Sequence, residues 1–519
     1  MTHTATTSYG KLRGHEERGV TSFKGIRYAA PPVGPMRFCA PAEPEPWSGT
    51  LDASEFGPIS LQQRVAGGGV LGGREEPQDE DCLFLNIWTP GVDAARRPVL
   101  IWIHGGGFSA GSGSTAMYDG ASLAHDHDVV VVTINYRLGA LGFLSSPDFA
   151  GAPGDATANF GLWDMVQALT WVRDEIGAFG GDPSSVTIFG ESAGGVAVNM
   201  LLASPVAVPL FHRAISQSGT IWPASPEQAT ETAERLFLEL GLQEPTAEAL
   251  RAIPAEEMAA ASAKVDALGW ASFSQNGPLD LPYRPVVDGH LLDRAPLDSL
   301  RVGVARDVPL LIGNNTGEMQ LFPAILPGYG TVEDAELVPY LEAELAALGV
   351  DGAGQAERGV AIYREVLEHG EAPTASDIFF AIGTDATFRH AADQVALTQA
   401  SVQPQVFKYL CDFQSPLLNA AVHAVDVPLL FGSFREDADL QRFVGTGPES
   451  ESAAAIMQEA WASFARTGCP TIPSGPAWPE FENGARRTMI LDSQPHVVEH
   501  PDRSRVAFWE QATARITTA

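Results

Sequence analysis

Short apolar runs, rich in valine, isoleucine and aromatic residues, recur along the chain between longer stretches with a helical repeat. Residues 98–104, 129–134, 186–189, 309–312 and 405–410 form such runs, and each is predicted to be a buried strand. Leu162, Met165, Val166, Leu169 and Val172 repeat at helical spacing within 161–176. Comparable faces occur in 193–202 and 454–466. Strands alternating with helices of this length predict an α/β protein with a central, mostly parallel sheet flanked by helices. Stretches rich in alanine and glutamate, around 225–265 and 327–375, are predicted to be helical excursions over that sheet. No repeat of domain size and no Ser/Pro-rich linker divides the chain, so residues 1–519 read as one domain.

Composition narrows the function. Acidic residues outnumber basic ones 64 to 32, a formal net charge of −32. That balance disfavours nucleic acid and anionic membrane surfaces, which attract basic proteins. No apolar run reaches the length of a membrane span. The first residues lack a basic stretch followed by an apolar one, so a cytoplasmic location is expected. Four cysteines (Cys39, Cys82, Cys411 and Cys469) form no CxxC pair and are expected to be reduced thiols, mostly buried. The glycine-rich run at 67–73 lacks the Lys-Ser/Thr of a phosphate-binding loop. Neither a metal nor a cofactor is expected.

The sharpest chemical signal is FGESAG at 189–194, placed between a β-branched strand and a stretch of small and apolar residues. A Gly-x-Ser-x-Gly sequence in that context predicts a nucleophile elbow, a reversal so tight that positions two before and two after the serine must lack bulk. Ser192 is the candidate nucleophile, and Gly190 and Gly194 are the residues that let the chain turn. The helix behind Ser192 would direct a positive dipole end at a developing oxyanion. A second signal, HGGGF at 104–108, directly follows a strand. Consecutive glycines leave backbone N–H groups unobstructed, so Gly106, Gly107 and Ala193 are the candidate oxyanion donors.

Two longer segments, EDCLFLNIWTP at 80–90 and FGGDPSSVTIFGESAG at 179–194, resemble the two signatures of the type-B carboxylesterase family. That family includes bacterial para-nitrobenzyl esterases, liver carboxylesterases and cholinesterases. Further similarity runs from FKGIRYAAPPVG at 23–34 through PVVDG at 285–289 to the C-terminal helix around Trp461, nearly the whole chain. The resemblance implies an α/β-hydrolase fold and a serine carboxylic-ester hydrolase that needs no cofactor. It also implies structural ion pairs, Arg37 with Glu80 and Arg137 with Asp164. Cys82 resembles the distal cysteine of a disulfide in secreted relatives, but Ser60 stands near the expected partner position, so that loop is not clamped.

A serine nucleophile needs a base, and the base an orienting carboxylate, in the chain order Ser, acid, His. Glu318, after the strand at 309–312, matches the segment that supplies the acid in the family, although Met319 stands where the family usually has glycine. Asp307 lies at the wrong end of that strand. Among twelve histidines, His423 matches the family pattern of a histidine, a carboxylate three residues on, and an apolar run into Phe431 and Gly432. His104 is expected to shape the glycine loop. His125 and His127 read as a solvated loop, and His212, His290, His369 and His390 as structural. Ser218 resembles the family serine near the triad acid, which implies a bond to Glu318 with a turn role as the alternative, and the Glu191 side chain is expected to point away from the nucleophile.

The resulting expectation is a two-step acyl transfer on small to medium neutral aliphatic or aromatic esters. Leu279 and Leu281 align with the acyl-pocket segment, and Phe322 is a further candidate for the pocket. The 67–73 loop lacks the tryptophan that holds a quaternary ammonium in cholinesterases, so no advantage is expected for a choline ester unless Trp222 or Phe322 supplies the ring. The same machinery would serve carbamates or activated amides, and a non-catalytic adhesion homologue is the alternative of another class. The substrate is expected to be the only partner, with a monomer as the default.

Overall fold

The structure, a computed structural model, describes residues 2–63, 76–146, 149, 156–243, 245–368 and 372–514. Among them, thirteen strands build one mixed sheet. In chain order these are β1 (Thr2–Thr6), β2 (Lys11–Glu17), β3 (Val20–Arg27), β4 (Thr50–Asp52), β5 (Phe84–Thr89), β6 (Arg97–Ile103) and β7 (Val130–Ile134). There follow β8 (Gly181–Glu191), β9 (Arg213–Gln217), β10 (Leu310–Asn315), β11 (Val406–Cys411), β12 (Thr488–Leu491) and β13 (His496–Val498). Their spatial order is β1-β2-β3-β5-β7-β6-β8-β9-β10-β11-β12-β13, with β4 on β2. From β7 to β12 every neighbour is parallel, while towards either edge the neighbours pair antiparallel, apart from β4, which is parallel to β2.

All five strands expected from the apolar runs are in the parallel block. They are buried on both faces, and a strand without a wet face reads as a continuous apolar run. Consecutive residues go to opposite layers. Val99, Ile101 and Ile103 of β6 pack with Val130, Val132, Ile134, Val186 and Ile188 on one side. Leu100 and Trp102 join Val131, Phe189, Ile215 and Leu311 on the other. Helices Phe160–Glu175, Ala193–Leu202 and His390–Ala400 cover the first face. Helices Ala121–His127 and Pro448–Thr467 cover the second. His125 and His127 thus end a helix, where a solvated loop was expected. Helices Leu337–Ala347, Ala356–Val366 and Ala375–Thr384 form a third apolar cluster with Met319 and Phe322. No helix among the described residues is long and apolar enough to cross a membrane.

Strand order fixes where a site can form. β7 lies on one side of β6 and β8 on the other, so the order reverses at β6 and a crevice opens beyond the carboxyl ends of these strands. Two buried ion pairs hold the segments that surround it. Arg137 bonds Asp164 twice, Nη2 to Oδ1 at 2.6 Å and Nε to Oδ2 at 2.8 Å, and Asp164 also accepts the Arg137 N–H. Arg37 bonds Glu80 through both Nε and Nη2. Both pairs are those implied by the family resemblance.

Arg137 and Asp164 are 2% and 0% exposed, so neither charge has water to fall back on. Arg137→Ala is expected to destabilise the protein by about 3–5 kcal/mol, and Arg137→Met with Asp164→Leu to recover most of that loss. Urea unfolding of the three proteins checks this, and a near-neutral single variant would refute it.

Candidate active site

The loops after β6, β8, β9, β10 and β11 meet at one edge of the sheet. Ser192 follows β8 directly with φ 57° and ψ −126°, a backbone conformation that L-residues rarely adopt. Its N–H donates to the Gln217 carbonyl at 3.0 Å, tying the turn to the end of β9. A Cβ on Gly194 would stand 2.0 Å from the Ile103 carbonyl oxygen, and one on Gly190 would meet the Gly194 backbone at 2.6 Å. Both glycines are therefore required by the closeness of three backbones.

The loop after β6 runs beside this turn. Gly106 and Gly107 have φ of 107° and 63°. No acceptor within the protein is found for their N–H groups among the described residues. Ala193 opens the helix behind Ser192, so its N–H lacks an intrahelical partner. His104 holds this loop in place. Its ring stacks on Tyr136 at 4.3 Å, and the Tyr136 hydroxyl donates to the His104 carbonyl at 2.8 Å. Burial pushes the His104 imidazole down to about 4, so it stays neutral.

Glu318 lies just past β10, fully buried, and His423 follows β11. His423 Nδ1 stands 2.7 Å from Glu318 Oε2. The other carboxylate oxygen, Oε1, accepts the Ser218 hydroxyl and the Asn315 N–H, each at 2.6 Å. This network fixes the carboxylate and makes Nδ1 the protonated nitrogen, leaving Nε2 with the lone pair. Asp307 is exposed before the start of β10, away from this edge. Met319 is accommodated without disturbing the loop: its buried thioether accepts the Tyr329 hydroxyl at 3.6 Å.

Glu191 is where the expectation fails. Its carboxylate does not point away; Oε1 lies 3.1 Å from His423 Nε2. β8 runs two residues beyond its expected end, through Glu191, and pairs it with Gln217. That alternation turns the Glu191 side chain towards the loop that carries His423. The Ser192 hydroxyl itself makes no hydrogen bond to a protein group among the described residues. Asp426 is the third carboxylate around the imidazole. It accepts from Gln217 Nε2 at 2.7 Å, and Gln217 is in turn held by the Trp461 indole at 3.0 Å. Burial alone would lower the His423 pKa, but Glu191, Glu318 and Asp426 together push it above the ordinary imidazole value. Burial pushes Glu191 in turn well above the ordinary carboxylate range.

Ser192 and His423 open onto a cavity of ≈ 1020 Å³. Gly106, Gly107, Ala193, Leu279, Leu281 and Phe322 all line it, so every candidate except Glu318 reaches one space, and Glu318 stands behind His423. Trp222 lines it too. Helix Ala255–Ser274 adds a wall that the sequence pattern did not identify as functional, with Asp266 and Trp270. The 67–73 loop and His369 lie outside the described residues.

Residues 2–509 match the carboxylesterase family. The chain belongs to that family. It is 37% identical to the para-nitrobenzyl esterase of Bacillus subtilis (strain 168), over 97% of this chain and 98% of that protein. It is 34% identical to a phenmedipham hydrolase of Pseudarthrobacter oxydans, over 94% and 95%. Among solved structures, a carboxylesterase of Geobacillus stearothermophilus at pH 6.2 aligns with a TM-score of 0.85 at 38% identity, covering 98% of this chain and 99% of that one. A PNB esterase structure aligns at 0.83 and 36% identity, covering 98% and 100%. The protein is therefore a carboxylic-ester hydrolase of α/β-hydrolase fold, and a non-catalytic role is not favoured.

The Glu191 contact sets a testable sign for this carboxylesterase. A carboxylate 3.1 Å from Nε2 stabilises the imidazolium and raises the pH at which the ring becomes neutral. Glu191→Gln is expected to shift the rising limb of kcat/KM to lower pH. An unmoved limb would mean that Glu191 itself carries the proton.

Proposed function

We propose that Ser192 is the nucleophile, His423 the general base and Glu318 the orienting acid of an acyl-enzyme esterase. The observation that carries this reading is a convergence: a serine forced into a left-handed turn and a carboxylate-bound imidazole head the same cavity. His423 Nε2 first leaves Glu191 and turns to Ser192. It takes the hydroxyl proton as Oγ bonds to the ester carbonyl carbon. The carbonyl oxygen becomes an oxyanion that receives the N–H groups of Gly106, Gly107 and Ala193. His423 then gives its proton to the departing alkoxide as the C–O bond breaks. Water enters, loses a proton to the same nitrogen and attacks the acyl-enzyme, and the acid leaves as Ser192 regains its proton. Glu318 stabilises the imidazolium in both half-reactions.

The substrates in this reading are small to medium aliphatic or aromatic esters that are neutral around the carbonyl. Leu279, Leu281, Phe322, Leu321 and Val196 give the cavity an apolar lining, and its volume accommodates them. We read the chain as one catalytic domain, because the cavity wall draws on residues from Leu61 to Ala424. A cytoplasmic location agrees with four free cysteines, three of them buried.

Ser192→Ala is expected to lower p-nitrophenyl butyrate turnover at least about 10⁴-fold with an unchanged melting temperature. His423→Ala should do the same and abolish the rising pH limb. A folded Ser192→Ala variant with near-normal turnover would overturn the assignment. Hydrolysis of matched ester, carbamate and anilide substrates ranks the bond types.

A further inference from the structure

The cavity does not stop at Ser192. It continues to the last turns of helix Leu337–Ala347, where Ala343, Glu344 and Ala347 form its wall. Behind this wall a buried aromatic cluster joins the helix to Phe322, which lines the cavity. Phe322 stands 6.2 Å from His423 and 4.9 Å from Phe273, which contacts Tyr329 at 4.5 Å. Tyr329 contacts Phe379 at 5.3 Å, and Phe379 contacts Tyr340 at 4.2 Å. Tyr340 lies one helical turn before Glu344.

Glu344 differs from the other buried carboxylates of the described residues. It is 5% exposed. Asp164, Glu80, Asp385 and Asp393 face Arg137, Arg37, the Arg389–Arg505 pair and Lys408 respectively. Glu175 accepts from Ser8, and Asp426 from Gln217 and Asn315. Glu191 and Glu318 flank His423. Among the described residues Glu344 has no cation beside it, only the Tyr340 hydroxyl of its own helix, and burial pushes its pKa up to about 7. The remaining charges of the cavity are already engaged. Asp266 accepts from Ser109 and the Trp270 indole, and Arg284 donates to Asp280.

A carboxylate buried without a partner costs stability, and one that opens onto a substrate cavity gains its partner from the ligand. We propose that Glu344 is the polar end of the substrate site and receives the primary ammonium group of an ester that carries one at the far end of its acyl chain or alcohol. The inference rests on the esterase reading above and names a substrate class for it. An ammonium group offers three donors for charge-assisted hydrogen bonds to the carboxylate, and the rings of Trp270 and Phe322 attract a cation on its way in. The protein's net charge of −32 draws the same ligand from solution.

The test compares kcat/KM for p-nitrophenyl 6-aminohexanoate with p-nitrophenyl heptanoate, and for 6-aminohexyl butyrate with heptyl butyrate, in the wild type and in Glu344→Gln. On one of the two sides the ammonium-to-neutral ratio should fall about tenfold in Glu344→Gln. Calorimetric binding of the same alkyl esters to Ser192→Ala and to Ser192→Ala/Glu344→Gln reads the preference without turnover. Equal ratios in both proteins, on the acyl and the alcohol side alike, would overturn the proposal. Absence of hydrolysis with a binding preference that Glu344→Gln removes would instead count against the Ser192 mechanism and for this subsite.

Discussion

Three backbones crowd into one place at the end of β8. The Ile103 carbonyl, the Ser192 turn and the first residue pairs of the following helix approach so closely that a single Cβ at Gly194 has no space. That closeness is what drives Ser192 into a positive φ and leaves its hydroxyl at the edge of the sheet rather than inside it. It also places the first N–H of the helix beside the glycine loop after β6. The proposed nucleophile and oxyanion donors are therefore set by one packing constraint, and the rest of the site is arranged around it.

The parallel sheet supplies the remaining parts because its strands share a direction. Each carboxyl end adds one component: Ser218 after β9, Glu318 after β10, His423 after β11. The register keeps these ends level, with Ile103 opposite Gly190, Glu191 opposite Gln217, and Asn315 opposite Cys411. Ser218 and His423, far apart along the chain, then both fall within hydrogen-bonding distance of Glu318.

Electrostatics around His423 follow from the same convergence. Three carboxylates surround one largely buried imidazole at the wall of the cavity. Two are tied to neutral donors: Glu318 to Ser218 and Asn315, and Asp426 to Gln217 and Asn315. Among the described residues Glu191 has only the imidazole, 3.1 Å away. Such a cluster holds the ring in position and holds its charge back.

Several features were legible in the sequence because they are local. The buried strands show as unbroken apolar runs, the turn at Ser192 as glycines flanking a serine, and the loop after β6 as glycines after a strand. The order Ser192, Glu318, His423 follows from the chain itself, given the likeness to the carboxylesterase signatures. What only the tertiary structure decided depends on contacts between distant segments. The edge strands other than β4 pair antiparallel, and their short or half-wet sequences carry no strong period. The direction of Glu191 rests on how far β8 continues beside β9. That no cation faces Glu344 is visible only by comparison with the eight other buried carboxylates of the described residues, each supplied with a partner by another part of the chain. A sequence records which residues are acidic; whether a cation, an amide or an open cavity faces each of them is settled by packing alone.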